Sequence, residues 1–326
     1  MMKRFFTFSA MVLTAVTALS AGLASAGQTL RFAHVYEITE PYHKEALWAA
    51  SEIKRRTNGR YEVEVFPASS LGKENDINQG LSLGTIDIIL TGNLFAGKSY
   101  EPLSIAGAPY MFRDLDHWKS YAKSDLFKEL AAGYKNVTGH QIVATTYYGS
   151  RHATSNKPLN TPADMKGLKI RVPNAPLYMM FPKAVGANPT PIAFAEVYLA
   201  LQQGVVDAQE NPLPTIKAKK FYEVQKYINL TGHIRDSLLT IAGGPLWKKL
   251  SAADKEIFTA VLTEASARAS SSIEESENNL ASWFEKQGVT VNRVDVTGFR
   301  NATMKLHNGP DATWDMETYN SLQAIK

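Results

Sequence analysis

The spacing of apolar and polar positions changes period repeatedly along the chain, and these changes predict alternating strands and helices. Residues 29–33 read as a strand, and residues 43–57 carry helical spacing that Asn58-Gly59 closes. Across 60–66 the pattern alternates, with Tyr61, Val63 and Val65 on one face and Arg60, Glu62 and Glu64 on the other, until Pro67 stops it. A helix over about 74–83 ends at Gly84, and 86–90 forms a short apolar run suited to a buried parallel strand. The second half repeats the rhythm. Thr161-Pro162-Ala163-Asp164 has the residue types of a helix N-terminus, 168–172 reads as a strand stopped by Pro173, and a helix over 194–203 ends at Gly204. Val205-Val206 begins the next strand.

This alternation predicts an α/β fold. Leu81-Ser-Leu-Gly84-Thr-Ile-Asp87 and Leu201-Gln-Gln-Gly204-Val-Val-Asp207 share the pattern Leu-x-x-Gly-x-[Ile/Val]-Asp, which fits two similar lobes with a cleft between them. From Ser251 to about Gln287 runs a long helical pattern, with a possible break at Ser270-Ser271-Ser272. At about 1.5 Å per residue it spans on the order of 50 Å, so it is expected to brace both lobes.

One further apolar run, from Phe5 to Leu23, follows Lys3 and Arg4 and precedes Ala24-Ser25-Ala26. This is the layout of a cleaved signal peptide over residues 1–26, so export and a mature chain from Gly27 are expected. No later segment is long and apolar enough to span a bilayer. The sequence has no Cys, which excludes disulfides, thiolate metal sites, a catalytic thiol and a lipid-bearing Cys. Without Lys3 and Arg4 the 35 basic residues become 33 against 31 acidic ones, scattered rather than in runs, so nucleic acid is not an expected partner.

No catalytic motif, phosphate-binding loop or dinucleotide fingerprint is present, and the seven His occur singly, so no cofactor or metal is expected. One constellation does suggest binding. In 168–173, Leu168, Ile170 and Val172 share a strand face and leave Lys169 and Arg171 on the other. A strand arginine in a covered sheet sits at an edge, pairs internally, or points into a cleft at the strand's carboxyl end. Pro173 ends the strand two residues after Arg171, which favours the cleft, where a guanidinium can hold a carboxylate bidentately. The pattern leaves a structural ion pair open as well. Arg151, after Tyr147-Tyr148-Gly149-Ser150, and Asn211, before Pro212, are also polar residues at expected strand ends.

At these residues the chain resembles a known family. Gly149-Ser-Arg151, 164–173, Gly186-Ala-Asn-Pro-Thr-Pro191, 196–207 and Gln209-Glu-Asn211-Pro212 resemble, in order and spacing, the solute-binding proteins of tripartite ATP-independent periplasmic (TRAP) transporters, the DctP-type family. Lys220 to Lys226, Leu230-Thr-Gly-His233, and in the first half Val65-Phe-Pro67 with Leu71-Gly72, continue the match. The resemblance implies a two-lobed fold with strands exchanged between lobes, and hinge closure on an organic-acid anion in the periplasm. It also implies membrane permease subunits as partners for a monomeric binding protein. Arg171 then resembles the principal carboxylate-binding arginine, Arg151 a supporting one, Asn211 the amide completing the clamp, and Phe194 an aromatic residue packed on the ligand. The lobes are expected over 27–148 with 237–276, and over 149–236 with 277–326.

His34, Tyr36, Glu37, Glu74, Asn93 and Tyr147 are further expected ligand contacts. The first-lobe strand ends His34-Val-Tyr36-Glu37 and Thr91-Gly-Asn93 depart from the sialic-acid pattern, while ionised Glu37 and Glu74 would repel a second carboxylate. A monocarboxylate sugar acid such as a hexuronate is therefore favoured over sialic acid or a four-carbon dicarboxylate. An enzyme acting on sugar acids would need a positioned acid–base pair that the sequence does not offer. The other readings are a binding protein that reports to a sensor kinase, and one that serves an ATP-driven importer.

Overall fold

The computed structural model describes residues 27–326; the expected signal peptide, residues 1–26, lies outside the described residues. Nine strands form one continuous mixed sheet in the order β2-β1-β3-β8-β4-β7-β5-β6, with β9 also paired to β8. They are β1 (Gln28–His34), β2 (Tyr61–Phe66), β3 (Ile88–Gly92), β4 (Gln141–Ser155), β5 (Lys169–Val172), β6 (Asn188–Pro191), β7 (Ala208–Pro212), β8 (Tyr227–Ala242) and β9 (Thr290–Asn292).

Two of these strands are long enough to serve both lobes. The carboxyl half of β8 pairs with β3 through Ile88↔Ala242, and its amino half pairs with β9 through Tyr227↔Thr290. β4 lies antiparallel to β8 along its whole length, and its carboxyl half pairs with β7 from Arg151↔Pro212 to Ser155↔Ala208. The strand exchange implied by the resemblance is therefore made by β4 and β8. Their register shifts at Tyr147/Gly149 and Arg151/Ala153, where the chain passes from one lobe to the other. Such bulges bend a strand and re-aim its side chains.

The shared heptad motif performs the same job in each lobe. Gly84 and Gly204 end their helices with φ of 73° and 70°, a left-handed conformation that costs a glycine nothing. Asp87 then accepts the Arg31 amide at 2.8 Å, and Asp207 accepts the Lys169 amide at 3.1 Å. Each carboxylate thus ties its strand to the parallel strand beside it, β3 to β1 and β7 to β5. The strand begins at Ala208 rather than at Val205, because Val205 and Val206 lie in the turn that brings Asp207 to this contact.

The helix Ala252–Lys286 runs unbroken for 35 residues, without the break expected at Ser270-Ser271-Ser272. Ser270 and Ser276 donate to carbonyls one turn back, at 2.8 and 2.7 Å, which satisfies them inside a helix. The small side chains also admit β4 closely: Ser266 donates to the Thr145 carbonyl at 2.6 Å and Ser270 accepts the Tyr147 amide at 3.0 Å. No helix among the described residues is long and apolar enough to cross a membrane.

The chain end returns to the first half of the chain. The helix Met316–Ala324 packs on Asp125–Thr138, and Arg113 and His117 bond its last carbonyls. Residues 316–325 therefore lie against the first lobe, whose core Leu322 and Ile325 complete.

Candidate ligand-binding site

The carboxyl ends of β1, β3, β5 and β7 converge between the lobes, the usual place for a ligand in an α/β sheet. There Tyr36 and Glu74 from the first lobe face Arg151, Arg171, Phe194 and Asn211 from the second, with Tyr148 and Tyr178 completing the walls. The chamber they enclose is about 20 Å³. That is about one water in size. Past Glu74, Phe95, Arg171 and Phe194 the cleft widens into a recess of about 270 Å³ with Lys73, Asn75, Asp76, Asn174 and Glu196 around it.

Both arginines are buried, and their surroundings differ. Arg151 donates to Glu210 at 2.5 and 2.7 Å and to Asp236 at 3.0 Å, so two carboxylates surround one guanidinium. Tyr178 donates to Asp236 at 3.2 Å and its ring lies 4.9 Å from the Arg151 guanidinium. Burial opposes the charge on Arg151, yet Glu210, Tyr178 and Asp236 hold its pKa well above normal. Burial alone would raise Glu210, but Arg151 and His233 outweigh it and hold the carboxyl at about 2. Asp236 is raised by its burial.

Arg171 has no such partner. Its Nε and one terminal nitrogen donate to the Ile192 carbonyl at 2.9 and 2.7 Å, and the other terminal nitrogen, Nη1, is buried without any hydrogen bond. Burial lowers its pKa to about 10, Glu210 works against that shift, and the like charge of Arg151 adds to it. The group stays protonated at neutral pH. A buried cation that faces a cleft with an unbonded N–H has the chemistry to receive an anion.

The remaining lining is already oriented. Asn211 accepts from Tyr148 at 3.2 Å and donates to Gln209 at 2.6 Å, so its amide cannot rotate freely. Phe194 packs 6.1 Å from Tyr36 across the cleft and 6.0 Å from the Arg171 guanidinium. Glu74, half-buried, accepts from the Gly92 amide at 2.7 Å and the Thr91 hydroxyl at 3.0 Å. Its burial raises the carboxyl to about 7, although those hydrogen bonds and the charge of Arg171 pull it down.

Four expected contacts stand elsewhere. His34 pairs with His43 at 3.2 Å and accepts the Tyr36 amide, and burial lowers it to about 3, so it is a neutral residue of the first-lobe interior. Glu37 is held by Lys219 at 2.7 Å in an ion pair between the lobes. Asn93 is buried at the start of the short helix Asn93–Ala96, directly after β3, with both amide atoms unbonded, and does not line the chamber or the recess. Tyr147 points away, donating to Glu277 at 2.9 Å and stacking 5.1 Å from Trp118, while its neighbour Tyr148 faces the cleft. Tyr148, Tyr178, Glu210 and Asp236 escaped the sequence reading. Glu210 had a visible signal, since it stands beside Asn211 in the Gln-Glu-Asn-Pro run.

Comparison with known proteins shows the family and the fold. The family described as bacterial extracellular solute-binding protein, family 7, matches residues 32–309. The sialic acid-binding periplasmic protein of Vibrio cholerae is 32% identical over 319 residues, 98% of this chain and 99% of its own. A TRAP periplasmic solute-binding protein of Polaromonas sp., solved with bound D-erythronate, superimposes with a TM-score of 0.87 at 32% identity, covering 91% of this chain and 99% of its own. That of Roseobacter denitrificans, solved with bound L-galactonate, does so with a TM-score of 0.85 at 32% identity, covering 91% and 98%.

Proposed function

We propose, from the premise that this chain belongs to the bacterial extracellular solute-binding proteins of family 7 and is a TRAP-type solute-binding protein, that its ligand is a monocarboxylate sugar acid docked by its carboxylate on Arg171. The observation that carries this reading is the buried, unbonded Nη1 of Arg171. Arg151 has its charge matched by Glu210 and Asp236, so the charge of the ligand is answered by Arg171. Asn211 and Tyr148 stand beside it with polar groups fixed by their own hydrogen bonds.

The rest of the cleft supports a hydroxylated, singly charged ligand. The inner chamber leaves little room beside Arg171, and the recess beyond it is rich in amide, carboxylate and ammonium groups that can bond hydroxyls. Asp76 would repel a second carboxylate there, which disfavours a dicarboxylate. The ligands named for the Vibrio, Polaromonas and Roseobacter proteins are all monocarboxylate polyhydroxy acids. The family is periplasmic, and the leader pattern in residues 1–26 supports export to that compartment and delivery of the acid to TRAP permease subunits.

Arg171→Ala tests the docking role. Calorimetric titration with L-galactonate should give saturable binding to the wild type and at least about a hundredfold weaker binding to the variant, since a buried charge-assisted contact is lost. The variant should keep its melting cooperativity. Affinity within a few-fold of wild type would reject the role of Arg171.

A further inference from the structure

The hinge strands present a second cationic cavity on their other side. On β4, Arg151 faces the ligand cleft while Ser150 and His152 line the far face; on β8, Asp236 faces the cleft while Arg235 lines the far face. Behind the strands lies a groove of about 410 Å³, with walls from both lobes and from the long helix. Arg113, Arg235 and Arg300 all line it.

Arg55, Arg56, Arg60, Arg151, Arg268 and Arg293 each pair with a carboxylate. Among the described residues the three groove arginines pair with none. Arg113 spends its terminal nitrogens on the carbonyls of Gln323 and Ile325 at 2.9 and 2.5 Å. Arg235 gives one nitrogen to the Phe112 carbonyl at 3.2 Å, and Arg300 makes no side-chain hydrogen bond among the described residues.

Glu277, the carboxylate in the lining, feels the charge of Arg235 but forms no ion pair with any of the three arginines, so three cations face one anion there. Both oxygens of Glu277 accept hydrogen bonds, from the Ser150 amide at 2.6 Å and the Tyr147 hydroxyl at 2.9 Å. Asp114, whose carboxylate feels Arg235 and Arg113, caps its own helix at the His117 amide and lies outside the lining. Tyr110 lines the same groove as the three arginines. Its backbone sits in the left-handed region at φ 57°, its amide donates to His233 at 2.7 Å and its hydroxyl to Thr231 at 3.1 Å. Arg300 and Arg235 are both near enough to work against the rise in its pKa that burial causes.

We infer that this groove is a second anion site, which takes a small multivalent oxyanion of the phosphate or tricarboxylate class between Arg235 and Arg300 beside Tyr110. The inference does not rest on the identity of the acid in the main cleft. An oxyanion offers several acceptors to two guanidinium forks, and the cavity is large enough for one without displacing the walls.

The test uses the full mature chain carrying Arg171→Ala, which removes the cation of the main cleft. Inorganic phosphate, and separately citrate, is titrated at constant ionic strength against sodium chloride, with the amide resonances of Arg113 and Gly232 followed by NMR. Saturable shifts with phosphate or citrate but not chloride are expected, with affinity at least about tenfold weaker on adding Arg300→Gln. Arg300 is exposed, so that substitution leaves the fold intact. Shifts that follow ionic strength alone, that survive Arg300→Gln unchanged, or that do not saturate would overturn the inference.

Discussion

Arg151 and Arg171 bring the same guanidinium to the same cleft, and their neighbours give them different work. Arg151 is balanced by Glu210 and Asp236, so it fixes β4, β7 and β8 to one another; removing it would strand two buried acids at a cost of about 3–5 kcal/mol. Arg171 is in no ion pair and keeps an unbonded N–H, which is the basis for proposing that it docks the ligand anion. Glu74 adds a pH dependence whose sign follows from its surroundings: the Gly92 amide, the Thr91 hydroxyl, Arg171 and the carboxyl of Asp236. Its carboxyl titrates at about 7 in the free protein. A ligand carboxylate beside Arg171 cancels part of the positive field and raises that value further. The bound form thus keeps the proton to higher pH, so affinity is full below about 7 and declines as pH rises through the bound-state value. Between about pH 6 and 9 the wild type should lose roughly tenfold in affinity, and Glu74→Gln should show a flat profile. Equal slopes in the two proteins would remove Glu74 from the site.

At this scale the sequence was informative where a residue's oddity is local. Arg171 stood out because a charged residue on a strand two positions before a proline has few places to go. Tyr147 and Tyr148 were not separable, because the register shift at Tyr147/Gly149 interrupts the alternation that would tell one face from the other. Glu210 and Asp236 were hidden for a different reason. A buried carboxylate looks like a surface charge in a sequence until its cation is found in space.

Among the elements, the strand-closing motif was legible because its glycine and aspartate do local jobs, and both lobes repeat them. The continuity of the long helix was not, since serines that break an exposed helix can instead allow a strand to approach. The elements also show what holds the lobes together at the cleft mouth. Lys219 reaches Glu37 across it at 2.7 Å, with its ammonium 5.1 Å from the Phe194 ring, and Lys73 reaches Glu196 at 2.5 Å. The first pair is the more shielded, at 14% and 27% exposure against 55% and 52%, so it should contribute more. Lys219→Ala is expected to raise the ligand dissociation rate about fivefold at low salt, in stopped-flow chase experiments. The difference from wild type should shrink as salt rises. An unchanged dissociation rate at low salt would mean that the pair does not hold the cleft shut.

Over the whole molecule, one sheet joins the lobes through β4 and β8, so the buried pair of Arg151 on β4 and Asp236 on β8 sits on the two strands that link the lobes. The core follows the same plan. One large apolar cluster fills the first lobe and reaches the cleft at Val172 and Tyr178, while two smaller clusters fill the second. The chain end at Leu322 and Ile325 belongs to the large cluster. A return of the chain to a distant part of the fold leaves no local pattern in the sequence. The inner chamber of about 20 Å³ has room for about one water, so most of the ligand must be accommodated by the polar recess beyond Arg171. The most direct test is a calorimetric comparison of the wild type with L-galactonate, D-galacturonate, neutral galactose and succinate. Saturable binding of one or both sugar acids, with no heat from galactose and at least about a hundredfold weaker binding of succinate, is the predicted result. Tight binding of succinate with none of either sugar acid would contradict it.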